Sequence, residues 1–154
     1  MGTLQPFITG VPESTLGLPR EPDQLKRSVS VWISSPTVTG SVSLINPALD
    51  LKYKSNVVDS VTIKGEISEA GGPGYVLHTY TLKKNGVSIS TLTKFYEWGA
   101  AIDEDFLISE TFELYQPILV ERSDVLTVDI DISNVLEWDS TNFTSLSIDG
   151  RSFY

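Results

Sequence analysis

The 154-residue chain contains no cysteine. Disulfides, thiolate metal sites and thiol nucleophiles are thereby excluded, while the redox compartment stays open. It has one histidine, His78. A Ser-His-Asp triad could be built only around that residue, and no Gly-x-Ser-x-Gly elbow accompanies it. One imidazole also falls short of the usual zinc ligand set. Eleven basic residues stand against 20 acidic ones, a net charge of −9, which argues against nucleic acid as a partner because phosphate contacts need a basic surface. No apolar run approaches the ~20 residues of a spanning helix, so no membrane partner is expected. Phosphate loops, Rossmann fingerprints and basic-aromatic arrays are missing, and no cofactor is expected. The start, MGTLQPFITGVPEST, lacks the basic and apolar stretches of a secretion signal. Pro6 stands where a myristoylation signal wants Ser or Thr. The sequon Asn142-Phe143-Thr144 counts for little without a leader.

What is present is β-structure, and its strongest local signal is Gly74 to Phe95. Two β-prone runs flank Asn85-Gly86, a dipeptide suited to a type I′ turn because both positions need positive φ. A plain two-residue hairpin pairs Lys84 with Val87, Leu82 with Ile89, Tyr80 with Thr91, His78 with Thr93 and Val76 with Phe95. It would put Val76, His78, Tyr80, Leu82, Val87, Ile89 and Phe95 on one apolar face.

Elsewhere period-2 alternation recurs. Val29, Val31 and Ile33 alternate with serines and Trp32 from Ser28 onward, and Ser41–Ile45 follows. A short strand is expected over Leu49, Leu51 and Tyr53, and another from Val57 to Ile67. Gly65 sits on the apolar parity of that strand, which suggests a bulge or close packing. Phe106, Ile108, Phe112 and Leu114 alternate with Glu110 on the same parity, a carboxylate that marks a passage near the sheet's edge. Ile118–Val120 is a short piece. Leu126, Val128, Ile130 and Ile132 give the cleanest alternation in the chain, and a last strand lies near Ser145–Ile148. Strands this numerous, with no convincing helix, predict an all-β, two-sheet antiparallel sandwich, jelly-roll-like, with an immunoglobulin-like sandwich second. The Cys-Trp-Cys marks of a true immunoglobulin domain are absent.

Residues 1–27 differ from the β-sandwich domain expected over 28–154. They hold four prolines and no sustained period, so neither helix nor central strand fits. Yet Leu4, Phe7, Ile8, Val11, Leu16 and Leu18 are apolar. An extended N-terminal arm with apolar teeth needs a surface to lie on, either its own domain or a neighbouring subunit.

The remaining candidates for chemistry are few. His78 falls between Val76 and Tyr80 and reads as a packed, hydrogen-bonded core residue. Asp129 and Asp131 share a strand face and read as solvated; Asp103-Glu104-Asp105 could offer hard oxygens to Ca²⁺. Trp32, Trp98 and Trp138, with Tyr75 and Tyr96, could form a sugar-stacking platform or anchor an interface. Trp32 lies on the polar parity of its strand, and the other two tryptophans fall in loops. Charge is also divided. Residues 1–96 hold 7 acidic and 9 basic residues, a net +2, whereas residues 97–154 hold 13 acidic and 2 basic, a net −11. Unlike patches on neighbouring subunits would complement each other.

The proline-punctuated arm Gly2–Arg27 and the run PILVERSDVLTVDIDISN, Pro117–Asn134, resemble in architecture the small jelly-roll decoration (cement) proteins of tailed-bacteriophage capsids. The resemblance implies a non-enzymatic virion protein on the capsid surface. Its partners would be the major capsid protein or another virion protein and its own copies, with a homotrimer favoured and the arm's six apolar residues as contacts. A carbohydrate-binding module or receptor-binding tip using the tryptophans is the alternative, and a hydrolase built on His78 the third.

Overall fold

In the computed structural model the described residues are 21–33, 40–45, 53–68, 71–102 and 106–154. They form nine strands: β1 (Asp23–Ile33), β2 (Gly40–Ile45), β3 (Ser55–Ile67), β4 (Gly74–Lys84), β5 (Val87–Trp98), β6 (Phe106–Phe112), β7 (Ile118–Glu121), β8 (Leu126–Leu136) and β9 (Thr141–Phe153). One sheet has the order β1-β9-β3-β6, with β7 also pairing β3; the other runs β2-β8-β4-β5. Every pairing is antiparallel. β6 and β7 lie end to end along β3, opposite Val61–Ile67 and Ser55–Val58 respectively. Together they fill one edge position, interrupted around Pro117. Eight strand positions in two four-position sheets, crossing between sheets in this order, make a jelly roll. The arm residues Leu4, Phe7, Ile8, Val11, Leu16 and Leu18, the acidic loop 103–105 and the strand expected at Leu49–Leu51 lie outside the described residues.

The alternating strands build the core as period 2 dictates. Leu126, Val128, Ile130 and Ile132 are all buried between the sheets, facing Val61, Ile63, Leu146 and Ile148 among others. Each such side chain contributes roughly 1.5–3 kcal/mol over an exposed one. β1 starts at Asp23, five residues before the expected Ser28, with Leu25 buried. β9 is longer than its expected core, 13 residues rather than a short terminal piece. Gly65 does sit at a bulge, where the β3–β9 register shifts. A Cβ there would lie 2.5 Å from the Asn142 carbonyl oxygen.

The hairpin forms with its turn where the dipeptide put it. Asn85 has φ 54° and Gly86 φ 78°, and Lys84 pairs Val87. Beyond that the expected register is corrected. A bulge lies opposite Leu82 and Lys83, so Leu82 meets Ser90, Tyr80 meets Leu92, His78 meets Lys94 and Val76 meets Tyr96. Ile89 is the extra residue. Val76, His78, Tyr80 and Leu82 are inward as expected, but Val87, Ile89 and Phe95 are exposed. In β5 the inward set is instead Ser90, Leu92, Lys94, Tyr96 and Trp98.

The turn is latched to its neighbour. Asn85 Nδ2 donates to Asp124 Oδ1 at 2.7 Å, Val125 N donates to Asn85 Oδ1 at 2.8 Å, and Asn85 N donates to Val125 O at 2.9 Å. At the start of β1, Tyr53 and Tyr154 both donate their hydroxyls to Asp23 Oδ2, with ring centroids 5.2 Å apart.

Candidate functional site

Between the sheets a line of polar side chains runs through the core, apart from the buried Ser152–Asn56 pair that joins β9 to β3. Its middle is His78, wholly buried on β4 and edged by the rings of Tyr96 and Phe143 at 5.0 and 5.6 Å. At one side Trp138 Nε1 donates to Thr141 Oγ1 at 3.0 Å, and Thr141 Oγ1 lies 3.1 Å from His78 Nε2. At the other, His78 Nδ1 lies 2.8 Å from the Tyr80 hydroxyl, which lies 3.5 Å from that of Tyr96. Beyond Tyr96 stands Glu110, whose charge bears on the Tyr96 hydroxyl and whose Oε2 is 3.3 Å from Lys94 Nζ.

The indole end gives this line its direction, because an indole N–H can only donate. With Trp138 donating to Thr141, the threonine hydroxyl is free to donate to His78 Nε2. The imidazole then carries its proton on Nδ1 and donates to Tyr80, which donates to Tyr96. In the other tautomer Thr141 Oγ1 would accept from both Trp138 and His78, and its own proton would find no acceptor along the line. Every buried member is satisfied only in the first arrangement, and an unsatisfied one would cost about 1–3 kcal/mol.

Burial governs the titration of the line. It lowers the His78 pKa to about 4, so the ring is neutral. It also raises the Tyr80 and Tyr96 hydroxyls far above the ordinary tyrosine range, with Tyr96 and Glu110 reinforcing the rise at Tyr80. A neutral histidine that already donates at one nitrogen and accepts at the other has no lone pair to offer a substrate. The line laces the sheets instead: Thr141 and Glu110 belong to one sheet, His78, Tyr80, Tyr96 and Lys94 to the other.

Glu110 and Lys94 stand where the sandwich opens. β5 and β6 are edge strands, one from each sheet, and they face each other at this side. Their charges point inward, a device that discourages a free edge from pairing with another chain. Further along the same side, toward the start of β5, lies a cleft of about 480 Å³ lined by Ile89, Leu114, Tyr115, Pro117 and Ile118 with Ser90, Glu113 and Gln116. It is formed where Pro117 breaks the edge between β6 and β7. Tyr115 at its rim is fully exposed and Ile89 is 42% exposed.

The three tryptophans do not meet. Trp98 is the last residue of β5 rather than a loop residue. It is buried, its Nε1 donating to the Gly72 carbonyl at 2.9 Å. Trp138 is half-buried in the β8–β9 loop and caps the polar line. Trp32 alone is open, at 70% exposure on the outer face of its sheet. It stands opposite Asn142, in the same cross-strand row as Glu66 and the exposed Leu107. A second outward cluster on the other sheet joins Tyr75 and Phe95, rings 5.5 Å apart, with the exposed Leu136. Asp129, expected to be solvated, is paired with Lys83 Nζ at 2.5 Å.

No protein-family model matches the chain, and no curated protein matches it. Among solved structures it is similar to dimeric latent PorU from Porphyromonas gingivalis, at 12% identity and a TM-score of 0.45 over 87% of this chain; it spans only 13% of that one. It is also similar to a chain of turnip yellow mosaic virus, at 15% identity and a TM-score of 0.40, covering 86% of this chain and 96% of that one.

Proposed function

We propose that the protein is a non-enzymatic structural component of a virion. In this reading it works through its surfaces, binding a capsid shell and neighbouring copies of itself and stabilising what it binds. One observation carries the reading: chemistry-bearing and apolar groups have exchanged their usual places. His78, the natural candidate for reactivity, is wholly buried with both nitrogens engaged, while Trp32, Phe95, Leu107, Tyr115, Leu119 and Leu136 are all exposed. Large apolar side chains spread over both outer faces and an edge suit contact with other proteins more than capture of a small molecule. The arm with Leu4, Phe7, Ile8, Val11, Leu16 and Leu18 adds reach, and many modest contacts combine multiplicatively on a repeating lattice.

The test is attachment. A chain lacking residues 1–20, which keeps β1 whole, should fold and lose most of its affinity for the particle that the full chain decorates. Undiminished attachment of the shortened chain would remove the arm from the mechanism, and failure of the full chain to bind any viral particle from its source would remove the function.

Trp32 favours one second reading. An exposed indole beside Asn142 and Glu66 has the stacking face and hydrogen-bonding neighbours that a sugar ring uses. A carbohydrate-binding role therefore rests on Trp32 and not on Trp98 or Trp138. Binding on a glycan array that Trp32→Ala abolishes would favour it, and an empty array would end it.

A further inference from the structure

We propose that the outward patch of Tyr75, Leu77, Phe95 and Leu136 takes an arginine-bearing segment of another protein, with the guanidinium lying on the rings beside Glu97. This deepens the surface-contact reading above, on which it rests, by naming the chemistry of one partner. Register assembles the patch. Phe95 stands opposite Leu77, and Leu77 opposite Ser133; in the next row Glu97 stands opposite Tyr75, and Tyr75 opposite Leu136. Phe95 is 55% exposed and Leu136 51%. The Tyr75 and Phe95 rings lie 5.5 Å apart, tilted by 48°.

The backbone is bent to build it. From Leu77 to Tyr75 β4 advances two residues, while β8 advances three, from Ser133 to Leu136. Plain alternation after the buried Ile132 would send Val135 out and Leu136 in. Instead Val135 packs against the core and Leu136 faces solvent. Asn134 and Glu137, on either side, take left-handed φ values of 46° and 51°, a conformation that L side chains adopt only at a cost. Gly74 lets this end of β8 lie flush, since a Cβ there would strike the Leu136 carbonyl oxygen. Strain that the surroundings hold in place gathers at functional sites. Here it delivers the larger of two apolar side chains to the outside.

Charge and shape choose the occupant. The border is acidic: Glu97 is exposed in the row of Tyr75, and exposed Glu137 follows Leu136. Neither row holds a basic residue. Aromatic faces attract a cation, and an adjacent carboxylate completes its pairing. Arginine suits both, because its planar, weakly hydrated guanidinium stacks on a ring where the ammonium of lysine stays solvated. A sugar would want hydrogen-bonding neighbours, and Leu77 and Leu136 offer none. A second copy laid patch to patch would bring only further carboxylates to this border. Nor do the described residues have an arginine to spare: Arg27, Arg122 and Arg151 are each engaged within the fold. The occupant is therefore a different protein.

The probe is a short peptide, acetyl-Leu-Arg-Leu-Arg-Leu-amide, titrated into the isotope-labelled full chain and followed by NMR. Versions with lysine or citrulline in place of arginine are the controls, citrulline keeping the plane and losing the charge. Saturable shifts centred on Tyr75, Leu77, Phe95 and Leu136 are expected with the arginine peptide, weaker with lysine and weakest with citrulline. Phe95→Ala and Glu97→Gln, both at exposed positions, should each weaken binding about threefold to fivefold, with the amide signals of the core unmoved. Shifts scattered over other acidic surfaces, equal binding of the citrulline peptide, or a Phe95→Ala protein that binds as the parent does would each overturn the proposal. So would signals at these residues that move with the protein's own concentration, which would seat a second copy there. Attachment to particles is a separate readout. Peptide binding without attachment sinks the virion function and leaves the patch, whereas attachment without peptide binding at the patch sinks the patch alone.

Discussion

His78 Nε2 on β4 and Thr141 Oγ1 on β9 lie 3.1 Å apart, a hydrogen bond that joins the two sheets through the middle of the core. Because the imidazole is buried neutral, with its pKa lowered from 6.5 to about 4, it links stability to pH. The unfolded chain takes up a proton that the folded chain refuses. The contribution is therefore complete above pH 6.5 and is lost as pH falls toward 4. A shift of that size is worth about 3 kcal/mol. Urea titrations at pH 7 and pH 4 should show it. His78→Leu should be less stable at pH 7 and show a shallower fall between the two; an unchanged fall would take the titration away from His78.

The Lys94–Glu110 pair is partly open to water, at 42% and 17% side-chain exposure. A double-mutant cycle with Lys94→Met and Glu110→Gln should return a direct coupling below about 1 kcal/mol. The larger effect should be on association. Lys94→Val removes an inward charge from the 12-residue edge strand, and the variant should aggregate at concentrations where the parent stays dispersed, as light scattering would show.

Asn85→Gly separates the turn's backbone from its latch. Glycine keeps the positive φ at no cost but loses the bonds to Asp124 and Val125, so a loss of about 1–2 kcal/mol in chemical denaturation is expected. Asn85, the Glu121 amide and Lys84 hold the Asp124 carboxyl below its ordinary range. That part of the stability is present above the usual carboxylate pKa and disappears as pH drops through the lowered one. In Asn85→Gly the acid side of the stability profile should therefore flatten.

Gly65→Ala tests the bulge between β3 and β9. The added carbon would meet backbone, the Asn142 carbonyl oxygen at 2.5 Å and Phe143 Cα at 3.0 Å, and no rotamer can relieve that. A loss of about 3 kcal/mol or more is expected. A thermal midpoint within a degree of the parent's would show that the two strands can separate there freely.

Much of this architecture is legible in the residues, and the parts that are not share a cause. Leu126 to Ile132 declare their face because only one parity is apolar. In β5 both parities are, with Ile89 and Phe95 on one side and Leu92, Tyr96 and Trp98 on the other. The choice falls to the opposite sheet, which accommodates Tyr96 and Trp98 against Phe106, and a bulge delivers it. The inward carboxylate of Glu110 does announce an edge. His78 can be read as a packed histidine from its neighbours, but not its partner Thr141, which lies 63 positions away and looks like any strand threonine. The cleft is least legible of all, since it comes from a break between β6 and β7 meeting a bulge on another strand.

That bulge also decides how β5 tolerates changes in its length. Deleting Ile89 would leave Lys83 opposite Ser88 and Leu82 opposite Ser90, the pairs that exist already. Deleting a residue further along, at Thr91 or Thr93, would leave Phe95 outside and Tyr96 and Trp98 inside only if Ile89 gave up its bulge and entered the pairing opposite Leu82. One position in this strand is thus spare to the sandwich. A residue that folding can discard is free to be held for something outside the fold.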